Sequence, residues 1–470
     1  MSNPTFVKYT ASNVLLMTAK NRSMSTRDPI TVRATSRVLA ITLLALVSSA
    51  SALADAVDDF VRAQMKSAHI PGVAIAVIKD GRPVKVRGYG FSNIELETPV
   101  TPDSVFSIGS LSKQIIAVAT LKLIEEGRLS LDDRAVKVLE NAPAGWNGIT
   151  VRHLLTHTSG LVNESPGFNR LRPQSDADVI KSAYDVPLVF PTGEKYQYSN
   201  LGYFVLAEIV AKVSGQSWPV FVQECIFSPL GMTASGIVDA ALVVPHRVNG
   251  YVYRNGQYQN APALLALRPS GAFRSSLNDM LKWDAALTNA TILPQQMLDA
   301  MWTPAVLRDG SRYPYGFGFQ IESYGSHRAI SHGGSLNGFR NAYLRLPDDK
   351  VSILVLTNSD NASPNTIAAH IAAEYVKDLF PRREFARLSA KELDQLTGSY
   401  RLEASRVVVT RSGQGLVLNA GIDVFLLPSS PRVFFSPDDP RVHFEFDRDG
   451  GTVRMTRYSN DEKTYVAIKE

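Results

Sequence analysis

Apolar residues crowd most densely between Ile115 and Ile124, where Ile115, Ile116, Val118, Ala119, Leu121, Leu123 and Ile124 leave little polar surface. That density predicts a helix buried on most sides, with Gly127 as its C-terminal stop. Helical spacing also marks Val57–Met65, a turn within Asp132–Leu139, and the apolar run after Asn200, which ends near Gly215. Gly72–Ile78 and Val84–Gly90 read as strands around Asp80-Gly81, a hairpin signal. Asn341–Leu346 and Val351–Leu356 flank Pro347–Lys350 and predict a second hairpin in the same sheet. A boundary falls near Phe380–Arg383. From Gly398 onward short apolar stretches (Val407–Val409, Leu416–Leu418, Val424–Leu427, Val433–Phe435, Phe444–Phe446, Val453–Met455) alternate with glycine-containing turns. That pattern predicts a small antiparallel barrel or curved sheet. The expected division is a leader over 1–54, a main domain over 55–380, a linker over 381–387 and a small all-β domain over 388–470.

The leader changes how the charge is read. Val38–Val47 is a short apolar run preceded by Arg27, Arg33 and Arg37, and Ala52-x-Ala54 follows. This is the pattern of a secretory signal peptide cleaved after Ala54, with Met1 or Met24 as the start. The run is too short to span a bilayer, and no Arg pair precedes it and no Cys follows it, so no stable membrane anchor is expected. Secretion or a periplasmic location follows. Six of the 49 Lys and Arg and one of the 44 Asp and Glu lie in the leader, leaving 43 of each sign beyond it. The basic balance therefore belongs to the leader and carries no nucleic-acid inference. Cys225 is the only cysteine, so the chain relies on its core and not on an internal disulfide.

Three short motifs carry candidate chemistry. Ser110 and Lys113 stand three apart at the mouth of the buried helix, on one face, where free N–H groups favour a developing anion. Serine needs a base, and a lysine serves if the site disfavours its ammonium, since free Lys titrates near ~10.4. Alone, Ser-x-x-Lys recurs by chance as a capped helix start, so companions are required. Tyr198 and Asn200 sit at a loop-to-helix junction; a phenol relays a proton, and an amide holds a substrate carbonyl. His332, Gly333, Gly334 and Ser335 follow; the glycines permit close backbone approach, an N–H there faces an oxyanion, and His332 binds a carboxylate or assists proton transfer. His153 and His157 are four apart, but no Glu occupies the His-Glu-x-x-His position and no third ligand is evident, so a structural turn is expected and no metal. Gly271–Trp283 and Tyr315–Phe319 read as structural.

In this order, Ser-x-x-Lys, Tyr-x-Asn and His-x-Gly resemble the penicillin-recognising serine hydrolases. The branch in question holds class C β-lactamases, D-Ala-D-Ala carboxypeptidases, D-amino-acid peptidases and β-lactamase-like esterases. The resemblance covers about 55–379 and includes Leu154–Gly160. It implies an α+β fold: an antiparallel sheet built from both ends of the domain, flanked by helices, with an inserted all-helical region and the site between them. It implies Ser110 as acylated nucleophile, Lys113 as general base and Tyr198 as the proton path to the leaving group. Asn200 orients Lys113 and the substrate amide, and the N–H groups of Ser110 and Ser335 form the oxyanion hole. No cofactor is implied; the partner is a small-molecule or peptide substrate with an amide or ester bond. Class C enzymes carry Lys where this chain has His332, and a neutral imidazole holds a carboxylate less firmly. The resemblance thus points to an exported esterase or D-amino-acid peptidase. A class C-like β-lactamase and a non-turnover penicillin-binding or scaffold protein are the alternatives. No Gly-x-Ser-x-Gly occurs, against an α/β-hydrolase.

Overall fold

The two expected hairpins meet in one sheet. In the computed structural model, which describes residues 56–262, 269–403, 405–421, 423–460 and 462–470, the first hairpin is β1 (Gly72–Lys79) and β2 (Arg82–Asn93), followed by a short β3 (Thr98–Pro99). The expected leader lies outside these residues. β4 (Gln320–Tyr324) and β5 (His327–Leu336) precede the second hairpin, β6 (Phe339–Leu346) and β7 (Val351–Thr357). Among the described residues these seven strands form an antiparallel sheet in the order β4-β5-β6-β7-β1-β2-β3, with Val73 opposite Thr357.

The period of two along β1 explains why its sequence is apolar throughout. Val73, Ile75 and Val77 face one core together with Val57 and Val61 of α1 (residues 56–67) and Ile367 and Ile371 of α4 (Pro364–Tyr375). Ala74, Ala76 and Ile78 face the opposite core, shared with α2 (Ser112–Glu125) and α3 (Asn200–Ser214). Both faces are therefore covered, which is the condition for an unbroken apolar strand. The inserted region is mainly helical, as expected. It also carries a small three-stranded sheet of Val105–Ser107, Phe273–Ser276 and Gly236–Ile237, whose strands are too short to leave a periodic signal.

Residues 381–389 run without helix or strand into a helical turn, Ala390–Asp394. Beyond it, eight strands between Gly398 and Lys469 close into a barrel among the described residues. Each of the six apolar stretches read from the sequence falls within one of them. The barrel has its own core, including Tyr400, Leu416, Leu426, Phe434 and Met455. Closure removes the exposed strand edges that an open sheet of this size would present.

Candidate active site

Ser110 does not sit inside the helix it introduces. It occupies a 3-10 turn, Gly109–Leu111, between the strand Val105–Ser107 and the start of α2 at Ser112. Gly109 holds a positive φ of 58°. A Cβ there would lie 2.6 Å from the Ser335 nitrogen, and a Cβ on Gly334 would lie 2.0 Å from the Ile108 oxygen. The two glycines thus let segments 108–110 and 333–335 lie backbone against backbone. This brings the Ser335 amide next to the Ser110 turn without any side chain between them.

Lys113 is fully buried beneath Ser110. Its Nζ donates to Ser110 Oγ at 3.3 Å, to Asn200 Oδ1 at 2.8 Å and to the Ser270 carbonyl at 3.0 Å. The same nitrogen lies 4.6 Å from the Tyr198 ring centre and 5.3 Å from that of Tyr203. Three oxygens fix the nitrogen from three sides; in the neutral amine the two N–H groups serve Asn200 Oδ1 and the Ser270 carbonyl, and the lone pair faces Ser110 Oγ.

Asn200 is in turn fixed by its helix end. Ser199 caps α3, accepting from the Gly202 amide at 3.0 Å and donating to the Val162 carbonyl at 2.8 Å. The Asn200 amide nitrogen donates to Asn163 Oδ1 at 3.1 Å and to Glu164 Oε1 at 2.8 Å, which leaves its oxygen for Lys113. With acceptors on one side and an amine on the other, the amide has a single satisfied orientation.

A buried hydrogen-bond chain ties this helix start to β5. The Ser199 amide donates to His157 Nδ1 at 3.1 Å, so His157 carries its proton on Nε2. That Nε2 lies 3.2 Å from the Tyr315 hydroxyl, which lies 3.0 Å from His332 Nε2. His332 Nδ1 donates to the Gly333 carbonyl at 2.6 Å. A carbonyl only accepts, so every proton in the chain points the same way, from His157 through Tyr315 to His332. Both rings are neutral. Burial and then the nearby Lys113 push His332 down to about 3, and burial with Lys113 and His332 pushes His157 well below its ordinary value.

This corrects two expectations and extends a third. His332 has its one N–H committed to Gly333, so it has no proton to offer a substrate carboxylate. Tyr315, read as structural, belongs to the support of the site. His157, read as a turn residue, does hold the left-handed turn (φ 58°) but also packs its ring 4.4 Å from that of Tyr198. Ser270, Asn163 and Glu164 were not found from the sequence, since they act from loops with no motif around them.

Seven of the eight expected residues, Ser110, Tyr198, Asn200, His332, Gly333, Gly334 and Ser335, line one cavity of about 810 Å³, and the eighth, Lys113, lies buried beneath its floor. The barrel also reaches this cavity, through Asp439, Arg441 and Arg457. Asp439 accepts from Arg441 Nε and Nη2, both at 2.8 Å, and from Thr366 Oγ1 of α4 at 3.0 Å.

The sequence matches the family model described as Beta-lactamase over residues 57–377. It is 28% identical to Penicillin-binding protein 4* of Bacillus subtilis (strain 168), over 61% of this chain and 68% of that protein. It is 26% identical to a D-aminopeptidase of Gluconobacter oxydans (strain 621H), over 70% of this chain but only 63% of that protein. The fold is similar to an octameric penicillin-binding protein homologue from Pyrococcus abyssi, with a TM-score of 0.66, 26% identity and coverage of 88% of this chain and 100% of that one. With the match spanning most of the chain and the motifs gathered in one cleft, the chain belongs to the beta-lactamase family and is a serine hydrolase.

Proposed function

We propose that this protein is an exported hydrolase that cleaves an amide or ester bond through an acyl-enzyme on Ser110, acting as a D-amino-acid peptidase or an esterase. The observation that carries the reading is the three-point hold on Lys113, which aims its amine at Ser110 Oγ from 3.3 Å. In its neutral form the Lys113 amine takes the Ser110 proton as Oγ attacks the substrate carbonyl carbon. The tetrahedral oxyanion forms beside the amides of Ser110 and Ser335. Collapse breaks the bond to the leaving group, and Tyr198 passes that group the proton from Lys113. Water then attacks the acyl-enzyme and restores Ser110. The likeness to a D-aminopeptidase supports the peptidase arm, and the leader pattern supports export.

Mass spectrometry of the full chain incubated with a chromogenic short-chain ester, a D-Ala-D-Ala peptide and a penicillin tests this. The expected result is an adduct on Ser110 with rapid turnover of the ester or the peptide, and loss of about 10³-fold or more in rate for Ser110→Ala with the fold intact. Activity surviving that substitution overturns the mechanism. The likeness to Penicillin-binding protein 4* supports a second reading, a slow-turnover penicillin binder, which a persistent penicillin adduct would select.

A further inference from the structure

The Ser110 turn lies in a seam, and its two sides are held differently. On one side, segment 108–112 is tied to the small sheet of the inserted region. The Ile108 amide donates to the Phe273 carbonyl at 3.0 Å, and the Phe273 amide donates to Ser112 Oγ at 3.1 Å. On the other side lies the stretch 333–335 of β5, where Gly109 and Gly334 bring backbone against backbone. Among the described residues, no backbone hydrogen bond crosses from 107–111 to 333–336. The two glycines permit the close approach, but van der Waals contact alone resists separation only weakly.

Asn341 supplies a bond from the sheet across this seam. It is the cross-strand partner of Gly334, so its side chain stands on the face of the β5–β6 ladder where Gly334 has none. An added Cβ on Gly334 would lie 3.4 Å from the Asn341 Cβ, so the glycine also leaves room for the asparagine. Asn341 Nδ2 donates to the Ser107 carbonyl at 3.0 Å, three residues before Ser110. Its Oδ1 accepts from the Thr357 amide of β7 at 3.2 Å. The residue is 1% exposed and borders the same cleft as Ser110. One of these bonds needs a donor and the other an acceptor; an amide offers both, whereas a carboxylate only accepts.

We infer that Asn341 is a positioning residue: by holding Ser107 to the sheet it sets the gap between the Ser110 and Ser335 amides, and with it the fit of the oxyanion between them. The inference rests on the acyl-enzyme reading and adds what keeps the two donors in register. The Ser110 amide belongs to the turn and the Ser335 amide to β5, so a widened seam draws one donor away from the oxygen. The hold of Asn200 and Ser270 on Lys113 is not part of that seam. Oxyanion donors act on charge that develops in the transition state, so the loss falls on kcat and not on KM.

The test uses the acyl donor that labels Ser110, ester or amide, paired with its analogue carrying C=S in place of C=O. Sulfur is the longer and poorer acceptor, so the oxo-to-thiono ratio of kcat reports the fit of the oxyanion donors. Two full-length variants are compared with wild type. Asn341→Ser is too short to span both partners; Asn341→Asp keeps the acceptor for Thr357 but loses the donor to Ser107. In both, kcat for the oxo substrate is expected to fall on the order of 10²-fold, with KM within roughly threefold. The oxo-to-thiono ratio should shrink about tenfold or more, and the pH–rate profile should keep its shape because Lys113 is undisturbed. Equal slowing of oxo and thiono substrates, a change confined to KM, or melting curves showing both variants unfolded would make Asn341 merely structural and overturn the inference. A wild type that forms no Ser110 adduct overturns the acyl-enzyme reading and this inference with it; an adduct with the ratio unchanged in both variants overturns this inference alone.

Discussion

A methyl group on Gly334 would have to occupy space 2.0 Å from the Ile108 oxygen, a backbone atom that cannot swing aside. Gly334→Ala is therefore expected to force segments 108–110 and 333–335 apart, at roughly 1–3 kcal/mol of stability, measurable by denaturant unfolding. Ser110 moves with that displacement, and a shift of about 1 Å costs a catalytic group on the order of 10²-fold in rate. Titration gives a second test at this scale. An unfolded histidine takes up a proton near ~6.5, while His332 resists until about 3. Stability is thus lost as the pH falls from that unfolded value toward the folded one, and above it the ring contributes nothing. His332→Asn should flatten the acid arm of a stability–pH curve by about 1.4 kcal/mol per pH unit. An unchanged slope would show that the ring titrates normally. Residues whose role is a side chain in a short motif, such as Ser110, Lys113, Tyr198 and Asn200, were legible in the sequence. The link from His157 through Tyr315 to His332 was not visible, because a buried hydrogen-bond chain has no spacing: its members lie 158 and 17 positions apart.

At the level of elements, α3 shows how a helix end becomes part of a site. Ser199 caps it, and the next residue, Asn200, reaches Lys113. The far end closes on Gly215 at φ 81°, where an added Cβ would meet nothing within 4 Å. Gly215→Ala should cost about 1 kcal/mol from the left-handed backbone alone and leave kcat/KM unchanged. Ser199→Ala should cost a similar amount, roughly 0.5–2 kcal/mol, but also lower kcat, since it loosens the turn that aims Asn200. Parallel melting and rate measurements separate the two. Both ends of α3 were visible in the sequence because its apolar run is bounded by the loop junction at Tyr198 and Asn200 and by Gly215. The start of α2 was not placed correctly, because the turn holding Ser110 is 3-10 and breaks the helical period. The short strands of the inserted region, two to four residues each, gave no alternation to detect.

The barrel and the hydrolase sheet meet across Asp439 and Arg441, which join Thr366 of α4. Arg441 is largely buried there, and Asp439→Ala would strand its charge; removing one partner of such a pair costs about 3–5 kcal/mol, to be read as a lowered unfolding midpoint. The barrel's strands were legible from their alternation, but its contribution to the cleft was not. Asp439, Arg441 and Arg457 belong to loops and strand faces whose partners are fixed only by how the two parts dock. The sheet itself imposes an order in time. β1 is hydrogen-bonded on one side to β7, and Val73 and Thr357 are 284 positions apart. Every residue between them must be made, and the long loop closed, before that edge finds its partner. During synthesis the first hairpin therefore waits with one edge bare until about three quarters of the chain has left the ribosome, and it is in that interval that the sequence Gly72–Lys79, apolar on both faces, most needs shielding from other chains.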